Sequence, residues 1–183
     1  MLCNKLIDAR LKIVAKTFPE IPIQSTNFSH TEFLTYSPYC TLFIHHTSNN
    51  HFLLSTNFFG DIYIYDSLNL PVSQELIAQI TMLYSPQTNI PTVQQVHITK
   101  SQVGSYDCDL FALAYASELD IENALEKFLF DQSKMRAHLT FCLEKNEFVP
   151  LPKIKVFQMS TNTTEVTHFL SPTQEMNYHK KDD

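Results

Sequence analysis

The most informative stretch of this chain is QVGSYDCDLFA, which runs from Gln102 to Ala112. Cys108 lies between a polar loop and an apolar run of helical character, so the pattern predicts that a helix begins at this cysteine. Asp107 is the candidate N-cap, with a carboxylate able to accept backbone N–H groups of the first turn. The positive end of a helix dipole stabilises a thiolate, which is the nucleophilic form of cysteine. The stretch therefore predicts a reactive thiol.

Three further residues supply the other parts of a nucleophilic site. His51 opens one strand-like segment and Asp66 closes the next. In a hairpin with its turn near residues 57–60 these two strand ends meet, so the Asp66 carboxylate is expected to hold one ring nitrogen of His51. Gln102 stands six residues before Cys108 and offers an amide N–H for a developing oxyanion. Together these residue types predict acyl transfer at a cysteine.

The bulk properties favour one intracellular domain. The chain has 183 residues, of which 44% are hydrophobic, enough for one core of ordinary size. A formal net charge of −6 with thinly spread basic residues argues against nucleic acid as a partner. Without a long apolar run, we expect neither a signal peptide nor contact with a membrane. The four cysteines lack CxxC spacing and are interpreted as separate thiols in a reducing compartment, nuclear or cytoplasmic.

The apolar periodicity predicts an α+β domain with helices packed on a mainly antiparallel sheet. Helices are expected at about residues 4–18, 73–83, 108–114, 121–129 and 135–142, and strands at 41–46, 51–56, 61–66 and 92–99. The first three strands are expected to form a meander. We expect residues 1–152 to form the domain and residues 153–183 to form a partly ordered tail.

Metal and cofactor chemistry have little support in the sequence. Cys40, His45, His46 and His51 are zinc-ligand types, but neighbours on a strand point to opposite faces, so His45 and His46 cannot both reach one ion. The sequence also lacks a glycine-rich phosphate loop. We therefore expect no metal site and no cofactor.

The ordered set His51, Asp66, Gln102 and Cys108 resembles the signature of the ubiquitin-like-protein proteases, the SUMO-specific cysteine peptidases related to the adenovirus-type protease. The similarity also includes the segments HF at 51–52, YDSL at 65–68 and YDC at 106–108, and it spans about residues 40–152. The segment from 130 to 144 resembles divergent forms of this domain found in mobile elements.

The resemblance implies a papain-like α+β fold and a monomeric, cofactor-free peptidase. In it, Cys108 is the nucleophile, His51 the general base, Asp66 the orienter and Gln102 the oxyanion donor. The implied substrate is the bond after the C-terminal Gly-Gly of a ubiquitin-like protein such as SUMO or ubiquitin. Phe52 is expected to help wall the substrate channel, and Tyr106 is a second candidate for lining the cleft.

Two departures from the family pattern leave alternatives open. The chain contains no Trp, and Phe52 stands where the family has one. Asp109 follows the nucleophile directly, where the family has glycine, so its side chain is expected to border the substrate path. Its carboxylate would disfavour a thiolate unless it turned into solvent. One alternative is therefore a catalytically silent relative that binds a ubiquitin-like protein or acts as a scaffold. Acetyl transfer, as in a related bacterial effector branch, is a third hypothesis.

Overall fold

The architecture comes from a computed structural model, which describes residues 4–23, 26, 41–57, 61–84, 92–98, 102–118, 129–154 and 166–169. In chain order the elements are α1 (Asn4–Thr17), β1 (Leu42–Thr47), β2 (His51–Thr56), β3 (Ile62–Tyr65), α2 (Gln74–Tyr84), β4 (Val93–Val96), α3 (Cys108–Glu118), α4 (Gln132–Lys145) and β5 (Val166–Phe169). The predicted α+β class is confirmed. No helix within the described residues is both long enough and apolar enough to cross a bilayer.

The strands form one mixed sheet in the order β1-β2-β3-β4-β5. The first three make the predicted antiparallel meander. β3 and β4 run parallel, which is possible because α2 lies in the crossover between them. β5 pairs antiparallel with β4, so part of the segment predicted as a tail supplies the last strand of the sheet.

Helices cover both faces of the sheet. Leu42, Ile44, Phe52 and Leu54 point to one face, where they join buried side chains of α1, α3 and α4 in the main core. The intervening strand residues point to the other face and pack against α2. This alternation follows the two-residue period of strands and leaves both sides of β2 buried.

α3 occupies the centre of the main core. Every residue from Cys108 to Glu118 is buried, and the helix packs against β2. At its C-terminal end, the Glu118 carboxylate accepts a 2.5 Å hydrogen bond from Lys153. The helix that carries the candidate nucleophile is thus fixed along its whole length.

One predicted helix differs from the structure. Most of the helix expected at 121–129 lies outside the described residues, but its last residue, Leu129, is not helical. The Leu129 carbonyl accepts a bond from Ile154 N at 2.6 Å, and Phe130 forms an antiparallel bridge with Lys153. Apolar periodicity cannot register this pairing, because the partner segment lies more than twenty residues away.

Arg10 gives a test of how α1 is joined to the end of α4. Its guanidinium is 1% exposed and donates to the carbonyls of Glu147 and Val149 at 3.3 and 2.8 Å, with Phe148 stacked beneath it. We expect Arg10→Ala to lower the free energy of unfolding by about 2–4 kcal/mol, because two part-buried hydrogen bonds from a charged donor and the packing of its buried side chain are lost. Urea denaturation measures this, with the exposed Lys12→Ala as control. A loss equal to that of the control would contradict the assignment.

Candidate active site

The His51 and Asp66 side chains meet at the strand ends, as the hairpin predicted. His51 Nε2 lies 2.7 Å from Asp66 Oδ1, and both residues are buried. The register of β2 against β3 pairs Leu54 with Tyr65, which brings the start of β2 beside the residue that follows β3. Because Nε2 is bound to the carboxylate, Nδ1 is the ring nitrogen left for another partner.

The Asp66 carboxylate is held by the backbone of its own turn. Its Oδ1 also accepts the Leu68 N–H at 2.8 Å, and its Oδ2 accepts the Leu70 N–H at 3.0 Å. An aspartate that caps its own turn in this way cannot rotate away from the imidazole without losing these bonds. The local sequence after β3 therefore fixes the orienter.

The turn before His51 is fixed from α2. Glu75, in the first turn of that helix, accepts the backbone N–H of Ser48 at 3.1 Å and its hydroxyl at 2.7 Å. These hydrogen bonds from Ser48 lower the pKa of Glu75. Asn50 takes the left-handed conformation with φ of 54° and closes the turn. The turn that precedes His51 is thus fixed by the Glu75 bonds at Ser48 and by the left-handed conformation of Asn50.

His51 also interacts with Cys108. Burial by itself lowers the pKa of His51, but the hydrogen bonds to Asp66 and to Cys108, together with the charges of the same two groups, raise the pKa to about 9. At neutral pH the imidazole is therefore protonated between a carboxylate and a thiol. A cationic imidazole and the N-terminus of α3 both favour the thiolate form of a cysteine. The arrangement suits a thiolate–imidazolium pair.

Gln102 lies beside this group, with its side chain oriented by a serine. Ser67 Oγ donates to Gln102 Oε1 at 2.7 Å, so the amide NH₂ group points the other way, where it donates to the Gly104 carbonyl at 2.8 Å. The backbone reinforces the contact, since Gln102 N donates to the Ser67 carbonyl at 3.1 Å. The Gly104 carbonyl thus accepts one of the two N–H groups that this amide carries. Ser67 was quoted in the sequence motif but had no predicted role.

Asp107 does not use its carboxylate in the way the sequence predicted. Its backbone carbonyl accepts the Phe111 N–H, as an N-cap residue does, at 3.1 Å. Its side chain turns to α4, where it accepts a bond from Gln132 Nε2 at 2.7 Å and pairs with Arg136. The expectation that this carboxylate caps α3 is wrong, because a guanidinium is a stronger partner than backbone amides.

The three predicted substrate-binding residues lie in different environments. Tyr106 is 73% exposed and available to a ligand. Phe52 is 1% exposed and stacks on His46 with ring centroids 4.3 Å apart, so its side chain belongs to the core and does not wall a channel. Asp109 is completely buried, and its Oδ1 accepts the Leu110 N–H at 2.7 Å. The outward turn into solvent does not occur, and Asp109 presents no surface to a substrate.

His45 and His46 point to opposite faces of β1, as strand geometry predicted. His45 is buried against α2, where its ring nitrogens bind Gln79 Oε1 at 3.0 Å and Ser55 Oγ at 2.6 Å. Burial lowers the pKa of His45 to about 4, against the opposing effect of the Gln79 bond, so the ring is neutral. His45 therefore serves the packing of α2 on the sheet.

The fold is that of the SUMO-protease type of papain-like cysteine proteases. Two solved structures are similar to this chain: the C-terminal Ulp1 protease domain in complex with Smt3, the yeast ortholog of SUMO, and the SUMO protease Ulp1 with its catalytic cysteine oxidized to a sulfonic acid. The first has a TM-score of 0.61 at 14% identity and covers 79% of this chain and 77% of that chain. The second has a TM-score of 0.56 at 14% identity, with 79% and 78% covered.

Sequence comparisons add nothing to this structural likeness. No protein-family profile matches the sequence, and no curated protein matches it either. The likeness to the SUMO-protease domains is therefore one of fold.

The histidine predicts a specific pH dependence. We expect the His51 ring to titrate near pH 9 by NMR and to titrate lower in Asp66→Asn, because the charged acceptor is lost while burial remains. The folded pKa lies above the unfolded value of about 6.5. Protonation of His51 therefore stabilises the fold fully below about pH 6.5, and this contribution disappears as the pH rises through about 9. An unchanged titration in Asp66→Asn would contradict the pairing.

Proposed function

We propose that this protein is a cysteine peptidase that hydrolyses the bond after the C-terminal Gly-Gly of a ubiquitin-like protein. The observation that carries the proposal is the contact of His51 with both Asp66 and Cys108 at the start of a buried helix. The fold, which resembles that of Ulp1, supports the same chemistry. The Ulp1 structure solved with Smt3 supports a ubiquitin-like protein as the partner.

In the proposed reaction, the Cys108 thiolate attacks the scissile carbonyl carbon and forms a carbon–sulfur bond. The negative charge moves to the carbonyl oxygen, which accepts hydrogen bonds from the Gln102 amide and from the backbone N–H of Cys108. One such donor typically contributes roughly 3–4 kcal/mol to transition-state stabilisation. As the carbon–nitrogen bond breaks, His51 gives its proton to the leaving amine, and a thioester remains.

Water then completes the cycle. Neutral His51 removes a proton from water, which attacks the thioester carbon, and the carbon–sulfur bond breaks to release the thiolate and a carboxylic acid, which loses its proton to solvent. His51 is again protonated beside the thiolate, as at the start. Throughout both steps, Asp66 stabilises the imidazolium and keeps its ring orientation.

A mechanism-based probe tests the proposal. We expect SUMO or ubiquitin carrying a C-terminal propargylamide to add covalently to the wild-type protein, detected as an intact-mass increase. Cys108→Ala should abolish the adduct. Cys142→Ala is the matched control, because Cys142 is also a buried free thiol but lies on α4. The proposal would fail if neither the SUMO nor the ubiquitin probe labelled the wild-type protein, or if an adduct persisted in Cys108→Ala.

A second candidate is a catalytically silent relative that binds a ubiquitin-like protein. The complete burial of the Asp109 carboxylate beside the nucleophile favours it, because a buried negative charge opposes thiolate formation. Binding of SUMO or ubiquitin without an adduct would support this candidate. Acetyl transfer has no comparable observation in its favour.

Two substitutions separate the effects of Asp109. Asp109→Asn removes the charge and keeps the volume, whereas Asp109→Gly removes both. If the charge limits the reaction, we expect both variants to be labelled by the probe about tenfold faster than wild type or more, since roughly 1.4 kcal/mol corresponds to tenfold. If the volume of the side chain limits the reaction, only Asp109→Gly gains. Slower labelling of both variants, with unchanged thermal stability, would show that Asp109 assists the site.

A further inference from the structure

The loop before the nucleophile is attached to α4 through side chains. Gln132 Oε1 accepts the Val103 N–H at 2.9 Å, and Gln132 Nε2 donates to the Val103 carbonyl at 2.9 Å. One side-chain amide therefore satisfies both backbone groups of Val103, as a neighbouring strand would. Val103 itself is 84% exposed, so its apolar side chain contributes little to holding the loop.

The other end of the loop is held by the same face of α4. Asp107 Oδ2 accepts from Gln132 Nε2 at 2.7 Å, and Asp107 Oδ1 pairs with Arg136. Arg136 also donates to the Tyr106 carbonyl at 3.1 Å. Gln132 and Arg136 are four residues apart and so lie side by side on the helix. Each oxygen of the Asp107 carboxylate thus has its own partner from α4.

α4 is a rigid support for these contacts. Met135, Leu139 and Cys142 anchor it in the protein interior with at most 3% exposure each. Between these contacts the loop turns at Gly104, which takes a φ of +79° and has no heavy atom of the described residues, its chain neighbours apart, within 4 Å of the position its Cβ would occupy. Residues other than glycine rarely adopt this backbone conformation, and the space beside it is open. The loop therefore depends on its contacts with α4 to keep its shape.

We propose that Gln132 and Arg136 are positioning residues that set the geometry of Gln102 relative to Cys108 by clamping the loop between them. This inference rests on the proposed function, because it concerns the same site. The loop begins at Gln102, the proposed oxyanion donor, and ends at Cys108, so its shape contributes to their separation together with the contacts between Ser67 and Gln102. Errors of about 1 Å in such a geometry can reduce a rate by roughly a hundredfold.

The contact between Arg136 and Asp107 also affects the charge beside Cys108. Asp107 is a carboxylate directly before the thiol, and Arg136 offsets its charge. Removing either α4 contact would leave this carboxylate freer to turn toward the start of α3, where it would oppose the thiolate. Positioning and electrostatics therefore act in the same direction.

The test uses Gln132→Glu. The new side chain still accepts the Val103 N–H, but it no longer donates to the Val103 carbonyl and it repels Asp107. With the propargylamide probe, we expect the maximal labelling rate to fall about tenfold while half-saturation by the probe changes less than twofold, since the substrate-binding surface is unaltered. In the absence of probe, we expect the His51 pKa measured by NMR to fall, because the contact with Cys108 loosens.

A rescue variant separates positioning from general instability. In Asp107→Asn/Gln132→Glu, the new amide at 107 donates to the new carboxylate at 132, and Arg136 pairs with that carboxylate one turn along α4. We expect this double variant to recover most of the labelling rate and of the His51 pKa. Arg136→Ala, a change at a half-exposed side chain, provides a second single variant whose labelling rate should fall at least threefold.

Gln94→Glu is the matched control. Gln94 Nε2 donates to Asp61 Oδ2 at 2.8 Å on β4, so this substitution makes the same chemical change beside another aspartate. We expect wild-type labelling and a wild-type His51 titration.

The proposal would be overturned if Gln132→Glu and Arg136→Ala both kept the wild-type labelling rate and His51 titration. It would also be overturned if the double variant recovered neither quantity relative to Gln132→Glu. If the wild-type protein takes no probe, the peptidase proposal fails by itself. The His51 titration in Gln132→Glu and in the double variant then tests the positioning role without the probe.

Discussion

The register between β2 and β3 is the constraint on which the site depends. Pairing Leu54 with Tyr65 puts Asp66 opposite Leu53, two residues along the same face of β2 from His51, and the backbone bonds that Asp66 accepts from its own turn then fix the imidazole. A slip of one residue would move His51 to the opposite face of the sheet. Both faces of β2 are packed against helices, so such a slip would also exchange the residues that face the main core with those that face α2. The same packing that stabilises the sheet therefore selects the arrangement of the site.

Cys108 lies among groups of opposite charge. The cationic His51 contacts it at the N-terminus of α3, and an aspartate stands on each side of it in the sequence. The structure treats the two aspartates differently: Asp107 is paired with Arg136 at the protein surface, while Asp109 is fully buried. The two aspartates that flank Cys108 therefore differ in how far solvent screens them.

The sequence predicted the parts of the fold and site that depend on local pattern. The meander, the helix beginning at Cys108 and the meeting of His51 with Asp66 follow from strand alternation, helix punctuation and hairpin geometry, which act over short stretches of chain. The predictions for Asp107 and Phe52 failed because distant partners decided them. Arg136 lies on another helix, and Phe52 is buried by α-helical packing on β2. Local sequence pattern does not reveal such distant partners.

The contacts that α4 makes with the loop also could not be predicted from the sequence. Gln132 and Arg136 are polar residues at helical spacing, which in a sequence indicates an ordinary solvated face. Only the fold places this face against the loop from Gln102 to Cys108, where the Gln132 amide bonds to the backbone of Val103 and the Arg136 guanidinium bonds to the Tyr106 carbonyl. A strand paired with this loop would cover its outer side. Side chains from a helix behind it hold the backbone while leaving Val103 and Tyr106 exposed to the outside.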